Sequence, residues 1–488
     1  MFRAFQALLL CELLVGLPLP AAPPPKQDRS RPVYEALREA LEKPYAELFE
    51  EAPALEFNDV QIRLMREYLK DAEEQCCQQF KTLAKSHRSE MRKAQEELSR
   101  RRERLTDTER HDLHCRIQNL RALQSQAEML SSHAVPIAYS NKQAKLDLIS
   151  KWPAQLRLVE AEIRSGAYRQ RRYGDVEDIG FREIAAGQEK DIRKGREAVE
   201  EMKRLSLMPK ELDSEPLRSY VVALGQKIAI NSDLQVPLQV TILDSEEINA
   251  FALPGGFLFV HRGLLEAVED ESQLAGVLAH ETAHAAARHG HKLMKKATIA
   301  SIIYQVAQIA AVVVTGGAAS LGTYYALEYG FYGLGLVLNL NLLGVSREFE
   351  LEADQLGVQY AWKAGYDPAG FIHFSDKMAR AEGYVRGASW FRTHPPFYER
   401  MVQAEREIHF LPVTAERIVQ TTEFGKMKKD LAACKATSKD GGPCKPSLLA
   451  PYEKDCPPPD KIEYDPHKPI EALCDPQGWQ SRQKEKVR

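Results

Sequence analysis

Neither sign of charge prevails in this sequence, where 66 Lys and Arg stand against 69 Asp and Glu over 488 residues. Such a balance leaves no electrostatic footprint for nucleic acid, and no dedicated nucleic-acid motif accompanies it, so nucleic acid is not expected as a partner. The C-terminal tail lacks the short C-x-x-C spacing that metal sites favour, since Cys434, Cys444, Cys456 and Cys474 stand well apart. A structural zinc is the weaker reading there, and two disulfides among the four, in any of three pairings, are expected. Small residues are missing before Cys11, where Leu8, Leu9 and Leu10 stand instead, which sets aside a lipoprotein anchor.

A chain of this length with ordinary apolar content can bury more than one core. Residues 1–22 read as a signal peptide: Arg3, then an apolar run from Ala4 to Leu17 broken by Glu12, then the small residues Ala21 and Ala22. Export is therefore expected, to a periplasmic or other extracytoplasmic compartment. Residues 23–55 read as a linker with a short helix, and the Pro-rich connector from Pro18 to Pro32 is too poor in apolar side chains to fold alone.

From Phe57 onward Ile62, Met65, Leu69, Ala72, Cys76, Phe80, Leu83, Met91, Ala94 and Leu98 recur mostly at steps of three and four. That rhythm predicts a long heptad-like helix. Thr106 followed by Glu109 marks a new helix start, and Leu113, Ile117, Leu120, Ala127 and Leu130 continue the seam. Residues 56–165 thus predict a long antiparallel helical coiled-coil hairpin, serving as a spacer, a docking arm for an unnamed partner, or a structural bundle. Pairing its arms about a turn near Leu105 sets Cys115 opposite Glu97, away from Cys76 and Cys77, so no simple disulfide across the hairpin is expected.

The chemistry begins at Leu278-Ala279-His280-Glu281-Thr282-Ala283-His284, an H-E-x-x-H motif in an Ala-rich run of strong helix propensity. Residues four apart share a helix face, so His280 and His284 can offer two imidazole nitrogens to one metal ion, with zinc the best candidate. Glu281, about 100° further round the helix, is placed to accept a proton from water as general base. Asp270 followed by Gln273 has the form of a capping box at the start of this helix. A catalytic zinc needs a third protein ligand. The helical stretch from Ser346 to Gly357 offers Glu350 and Asp354 on one face, one carboxylate for the metal and the other to orient a ligand imidazole. Glu348 and Glu352 fall elsewhere on this helix and are expected to be solvated.

Four stretches together resemble a zinc metallopeptidase of the HtpX and CAAX-prenyl-protease type, most like its secreted, periplasmic branch. They are Asn249 to Gly256, His280 to His284, Ser346 to Asp354, and Thr393-His394-Pro395-Pro396 with Arg400. The likeness runs from about Asp175 to about Phe410. It implies an α+β fold, a mostly helical, gluzincin-like zincin domain with a small β-sheet at residues 166–412, and one Zn2+ per chain on His280, His284 and Glu350. It also implies that an edge strand at Asn249, Ala250, Phe251 and Ala252 binds extended peptide by backbone pairing. Local patterning agrees, with Gln188 to Met208 helical and strands at Leu238 to Leu243 and Phe257 to Val260. In the family the residue matching His394 lies near the active site, which leaves three readings for it: a latch on the open metal position, a donor to the transition-state oxyanion, or a loop residue packing on Phe397.

Charge is absent from Ala297 to Leu327, and only Glu328 interrupts the apolar, Gly-rich stretch that runs to Val345. This is long enough to cross a bilayer. Gly316 and Gly317 divide it and both ends return to the zinc site, so residues 297–345 are expected to form an inserted hairpin that touches a membrane or is covered by protein, rather than two spans. Residues 413–488 form a Cys-containing tail. The function that follows is zinc-dependent metalloendopeptidase acting on exported or envelope proteins. The alternative, from a different class, is a chaperone or assembly factor that binds polypeptide in a zincin fold with little or no cleavage; the intact Glu281 speaks against it.

Overall fold

The structure is a computed structural model, and it describes residues 31–101, 103–204, 208–245, 248–294, 347–381, 394, 398–413, 416–437, 456–457, 460, 462 and 468–486. The expected signal peptide, the apolar insert at 297–345, Cys444, the Cys434 side chain, and Thr393, Pro395, Pro396 and Phe397 lie outside the described residues. No described helix is long and apolar enough to cross a membrane.

Helices α1 (Arg31–Glu42) and α2 (Tyr45–Glu51) lead into α3 (Asp59–Arg100). Helix α3 starts at a capping box in which the Asn58 side chain accepts from Gln61 N and the Gln61 side chain accepts from Asn58 N, both at 2.9 Å. Its stripe of Ile62, Met65, Leu69, Cys76, Phe80 and Ala84 is buried. The chain reverses between Arg101 and Thr106, where the second expected capping box forms: Thr106 Oγ1 accepts from Glu109 N at 3.2 Å and Glu109 accepts from Thr106 N at 2.8 Å. Helix α4 (Asp107–Met129) then returns along α3.

The arm differs from a plain two-helix hairpin in one respect. A π-helical turn at Leu130–Ala134 carries α4 directly into α5 (Val135–Ser165), a third helix that packs on α3 and on the helices that follow the sheet. Trp152, fully buried on α5, donates to Phe49 O at 3.1 Å, and Lys145, 1% exposed, pairs with Asp376 Oδ1 at 2.9 Å while Tyr45 N donates to Asp376 Oδ2 at 3.1 Å. A buried lysine is retained only when paired, so this contact fixes the arm to the rest of the fold.

Beyond α5, helices α6 (Asp191–Arg204) and α7 (Glu215–Ala229) precede a three-stranded sheet: β1 (Gln239–Leu243), β2 (Ala250–Leu253) and β3 (Phe257–His261). The order is β1-β3-β2, with β1 parallel and β2 antiparallel to β3. Strand β2 lies at the edge. His261 N donates to Asn249 O at 2.9 Å and Phe251 faces Phe259, so the alternation of an antiparallel ladder turns the N–H and C=O groups of Ala250 and Ala252 away from β3. The β2–β3 turn depends on Gly255 and Gly256 at φ of 86° and 84°, where a side chain would also strike Ile192 or Pro237 within 2.5 Å.

Helix α8 (Arg262–Ala267) leads to α9 (Glu271–Ala286), followed by α10 (His289–Met294), α11 (Arg347–Lys363), α12 (Gly370–Ala381) and α13 (Tyr398–Phe410). Asp270 caps α9 by accepting from Gln273 N at 2.9 Å, and Gln273 closes the box on Glu269 N at 3.1 Å rather than on Asp270 N. Helices α9 and α11 pack closely because Gly357 faces His280, where an added Cβ would lie 2.9 Å from the His280 Cα. Helix α14 (Thr422–Thr437) packs on α7 and α8, and α15 (Glu471–Cys474) and α16 (Pro476–Lys486) end the described chain.

Against expectation, the two described tail cysteines, Cys456 and Cys474, do not pair within the tail. Cys474 is bonded to Cys76 on α3 and Cys456 to Cys115 on α4, across 398 and 341 residues. The reason is that the tail lies along the arm. Asn119 Nδ2 donates to Asp460 Oδ2 and Asp460 N to Asn119 Oδ1, each at 2.7 Å, while Gln126 donates to Asp460 O at 2.9 Å and accepts from Ile462 N at 2.8 Å. Glu471 also reaches buried Lys142 at 3.2 Å. As expected, no disulfide joins α3 to α4, and Cys77 is a buried free thiol.

Candidate active site

Helix α9 is buried along most of its length, and its two motif histidines project toward α11 one turn apart. His284 Nε2 lies 3.0 Å from His280 Nε2 and 3.4 Å from Glu350 Oε1, and His280 Nε2 lies 3.7 Å from Glu350 Oε2. A fourth donor arrives from the segment before α13: His394 Nδ1 is 3.2 Å from His280 Nε2 and 3.0 Å from Glu350 Oε2. Among the described residues these four side chains form one of two groups of possible ligands whose atoms lie within 4.8 Å of one another; the other, His111 with Cys115 and Cys456, contains disulfide sulfurs.

The donor set fits a metal. Four ligands about 2.0–2.1 Å from a tetrahedral zinc are roughly 3.3–3.4 Å from one another, and the separations above scatter about that value. Proton accounting agrees. His280 Nδ1 faces the Asp354 carboxylate at 3.0 Å and must carry its proton there, which leaves a lone pair on Nε2 pointing at His284 Nε2 across 3.0 Å. A cation held by that lone pair and by the buried Glu350 carboxylate would satisfy both acceptors. Burial drives the His284 imidazole well below its usual pKa and so keeps it neutral. Burial opposes charge on Glu350, but His394 and Arg400 outweigh it and hold the carboxyl well below its ordinary range.

Asp354, fully buried on the same face of α11 as Glu350, is gripped by Arg400 of α13, whose Nε and Nη2 donate to the two carboxylate oxygens at 2.7 and 2.6 Å. Arg400 Nη1 also lies 3.1 Å from Glu350 Oε2. Burial works against the Asp354 charge, and Arg400 with His280 lowers its pKa in spite of it. Phe371 of α12 stacks on His280 at 4.9 Å between ring centres and 14° between planes, fixing the imidazole from its other face.

Glu281 is buried beside this cluster, with Oε1 3.2 Å from His394 Nε2. His394 therefore bridges Glu281 and Glu350. Burial disfavours its charge, but the two carboxylates override that and raise the imidazole to about 9. Asn249, Ala250, Phe251 and Ala252 are not part of this cluster. Ala250, Phe251 and Ala252 lie on edge strand β2, which packs against α9, and Asn249 just before it; the buried Asn249 side-chain amide has no hydrogen-bond partner among the described residues.

Glu352 corrects the expectation of a solvated side chain. It accepts from Tyr173 OH at 2.9 Å, pairs with Arg172 at 3.1 Å and meets His289 Nε2 at 3.2 Å. Burial opposes its ionisation, but the hydrogen bond and charge of His289 lower it to about 2. Sequence reasoning gave no role to His289, Glu352, Phe371 or Tyr173, and it noted Arg400 only as part of a motif. A third histidine five positions after His284 was the one visible signal.

Residues 217–408 match Peptidase family M48. Over this region the chain is similar to the beta-barrel assembly-enhancing protease of Yersinia pestis, 26% identical over 43% of each chain. It is similar to the mitochondrial metalloendopeptidase OMA1 of Schizosaccharomyces pombe, 34% identical over 39% of this chain and 52% of that protein. The metalloendopeptidase OMA1 of Danio rerio is 33% identical over 40% of this chain and 41% of its own. The chain thus spans about one third to one half of the length of the curated relatives it matches.

Proposed function

We propose, from the premise that this chain carries a peptidase family M48 domain, that the protein is a zinc metalloendopeptidase that cleaves exported or envelope proteins. The observation that carries the proposal is the convergence of His280, His284 and Glu350 at tetrahedral spacing with Glu281 beside them. Under this reading those three residues hold one zinc ion, Asp354 orients His280, and Asn249, Ala250, Phe251 and Ala252 receive the substrate backbone at the β2 edge. A bound zinc supplies Lewis acidity to the scissile carbonyl and to water. Glu281 takes the proton of the attacking water and returns it to the leaving amine, so that one buried carboxylate serves both halves of the hydrolysis.

His394 carries the regulation in this reading. Its Nδ1 sits among the ligand atoms, 3.2 Å from His280 Nε2, which supports a latch that gives up the Nδ1 proton to fill the position water needs. The two disulfides from tail to arm support an oxidising, extracytoplasmic compartment and hence the signal-peptide reading of residues 1–22. The domain organisation proposed is a leader, linker, helical arm at 56–165, peptidase domain at 166–412 with its apolar insert, and a tail clamped back on the arm.

Hydrolysis of an unfolded protein such as casein, measured with zinc content, tests the proposal. Glu281→Gln should keep its zinc and lose about 10²–10⁴-fold in turnover. Wild type with bound zinc, no cleavage of any protein offered, and suppression of aggregation that Glu281→Gln leaves intact would favour the chaperone reading instead.

A further inference from the structure

The two metal-facing histidines of α9 are supported differently. His280 is held directly by a carboxylate, Asp354, at 3.0 Å. At Nδ1 His284 meets no carboxylate among the described residues; its neighbour there is His289 Nδ1, at 2.8 Å, and His289 Nε2 in turn meets Glu352 Oε2 at 3.2 Å. Only one arrangement of protons satisfies this chain if His284 offers Nε2 to a metal. His284 Nδ1–H donates to the His289 Nδ1 lone pair, His289 Nε2–H donates to Glu352, and Tyr173 O–H donates to the other Glu352 oxygen at 2.9 Å. Each donor is used once, and the acceptor-only carboxylate lies at the end.

The backbone is built to hold this geometry. Arg288, just before His289, adopts φ 55°, a left-handed conformation that a long side chain rarely takes, and its guanidinium Nε and Nη2 donate to Asp191 at 2.6 and 2.8 Å. That turn ends α9 and brings the His289 ring back under His284, where it stacks on Phe349 of α11 at 4.4 Å and 12°. Tyr173 is the other non-glycine residue of positive φ among the described residues, at 58°. Its carbonyl is pinned by Gln359 Nε2 at 2.7 Å and Arg182 Nη1 at 3.1 Å, and the Arg172 carbonyl by Gln355 Nε2 at 2.9 Å. Strained backbone held on both sides of one polar chain is characteristic of a positioned site rather than of ordinary packing.

We propose that His289, Glu352 and Tyr173 form a carboxylate–imidazole relay that fixes the tautomer and ring orientation of His284 and strengthens it as a metal ligand. The three are positioning residues, since none of them touches substrate. The inference rests on the zinc reading of the site.

The test is zinc affinity, measured by competition with a chelator of known strength on the full chain, with thermal unfolding recorded for each variant. His289→Leu should weaken zinc about 10–100-fold, and Glu352→Gln, which keeps the shape, should weaken it by a similar order. His289→Gln retains one acceptor and one donor and should recover part of the loss, which a purely space-filling role would not allow. Because the residues act in series, the double variant His289→Leu/Glu352→Gln should bind no more weakly than His289→Leu alone. Tyr173→Phe removes one hydroxyl and should lower affinity by a few-fold with the fold intact. In the cobalt-substituted protein, the visible absorption bands should shift in His289→Leu and return toward wild type in His289→Gln. Affinities within threefold of wild type in both His289→Leu and Glu352→Gln, or fully additive losses in the double variant, would overturn the relay. A wild type that binds no zinc would instead overturn the metal reading beneath it.

Discussion

Replacing Arg400 by Met removes one cation from between two buried carboxylates. The Arg400 side chain is 2% exposed, Asp354 0% and Glu350 4%, and the guanidinium reaches Asp354 at 2.7 and 2.6 Å and Glu350 at 3.1 Å. Removing one partner of a buried ion pair costs about 3–5 kcal/mol, because the remaining charge stays desolvated and unpaired. With a urea dependence of about 2–3 kcal/mol/M, the unfolding midpoint of the chelator-treated protein should fall by roughly 1–2.5 M. Trp362, on the same helix as Asp354 and largely buried, gives a local fluorescence signal for this transition. Arg400→Lys keeps the charge but loses the two-pronged grip and should fall between. Combining Arg400→Met with Asp354→Asn should restore part of the loss, since the orphaned charge is then gone, giving a coupling of at least about 1 kcal/mol. A midpoint within about 0.4 M of wild type for Arg400→Met, together with additive behaviour in the double variant, would refute the idea that Arg400 neutralises this pair.

Three further outcomes are expected. His394→Ala should raise casein hydrolysis at unchanged zinc content if the ring latches the site; a fall on the order of 10²-fold would make it an oxyanion donor instead. Glu405 on α13 is raised to about 7, by burial first and then by Asp367 and Glu50, with His409 opposing. The sign follows from a folded-state pKa above the unfolded one: its contribution to stability is fully present below the ordinary carboxylate value and is lost as pH rises through about 7. Glu405→Gln should therefore raise the Tm at about pH 8 and change it little at about pH 4.5, and an equal effect at both would contradict the assignment. Mass spectrometry without reduction should recover linked peptides joining Cys474 to the segment carrying Cys76 and Cys456 to that carrying Cys115; a Cys456–Cys474 peptide would exclude the observed clamp.

Much of the fold is written locally. The capping boxes at Asn58 and Thr106 and the N-cap at Asp270 are set by residues within three or four positions, and the apolar stripe of α3 by a periodicity that any stretch of it repeats. For the same reason H-E-x-x-H already placed His280 and His284 on one face, and the four-residue spacing of Glu350 and Asp354 placed both carboxylates on another. The coming together of these two helices was not local. It depends on Gly357 against His280 and on Arg400 arriving from α13 to neutralise carboxylates that could not otherwise be buried side by side.

The sequence by itself determined the helix faces, the strand order along the chain and the identity of the chemical groups, because each follows from neighbours a turn or a pleat away. The tertiary structure alone decided three matters. Cys76 and Cys115 left no sign of partners 398 and 341 residues away, since a disulfide needs only that two side chains meet and records nothing in the residues between. The continuation of the arm into α5 followed from buried contacts such as Lys145 with Asp376, which join distant segments. Glu352 looked solvated on a helical wheel because a wheel shows only its own helix. The acceptors and donors that claim a charged side chain come from whatever the fold brings beside it, here His289 from beyond α9 and Tyr173 from before the sheet.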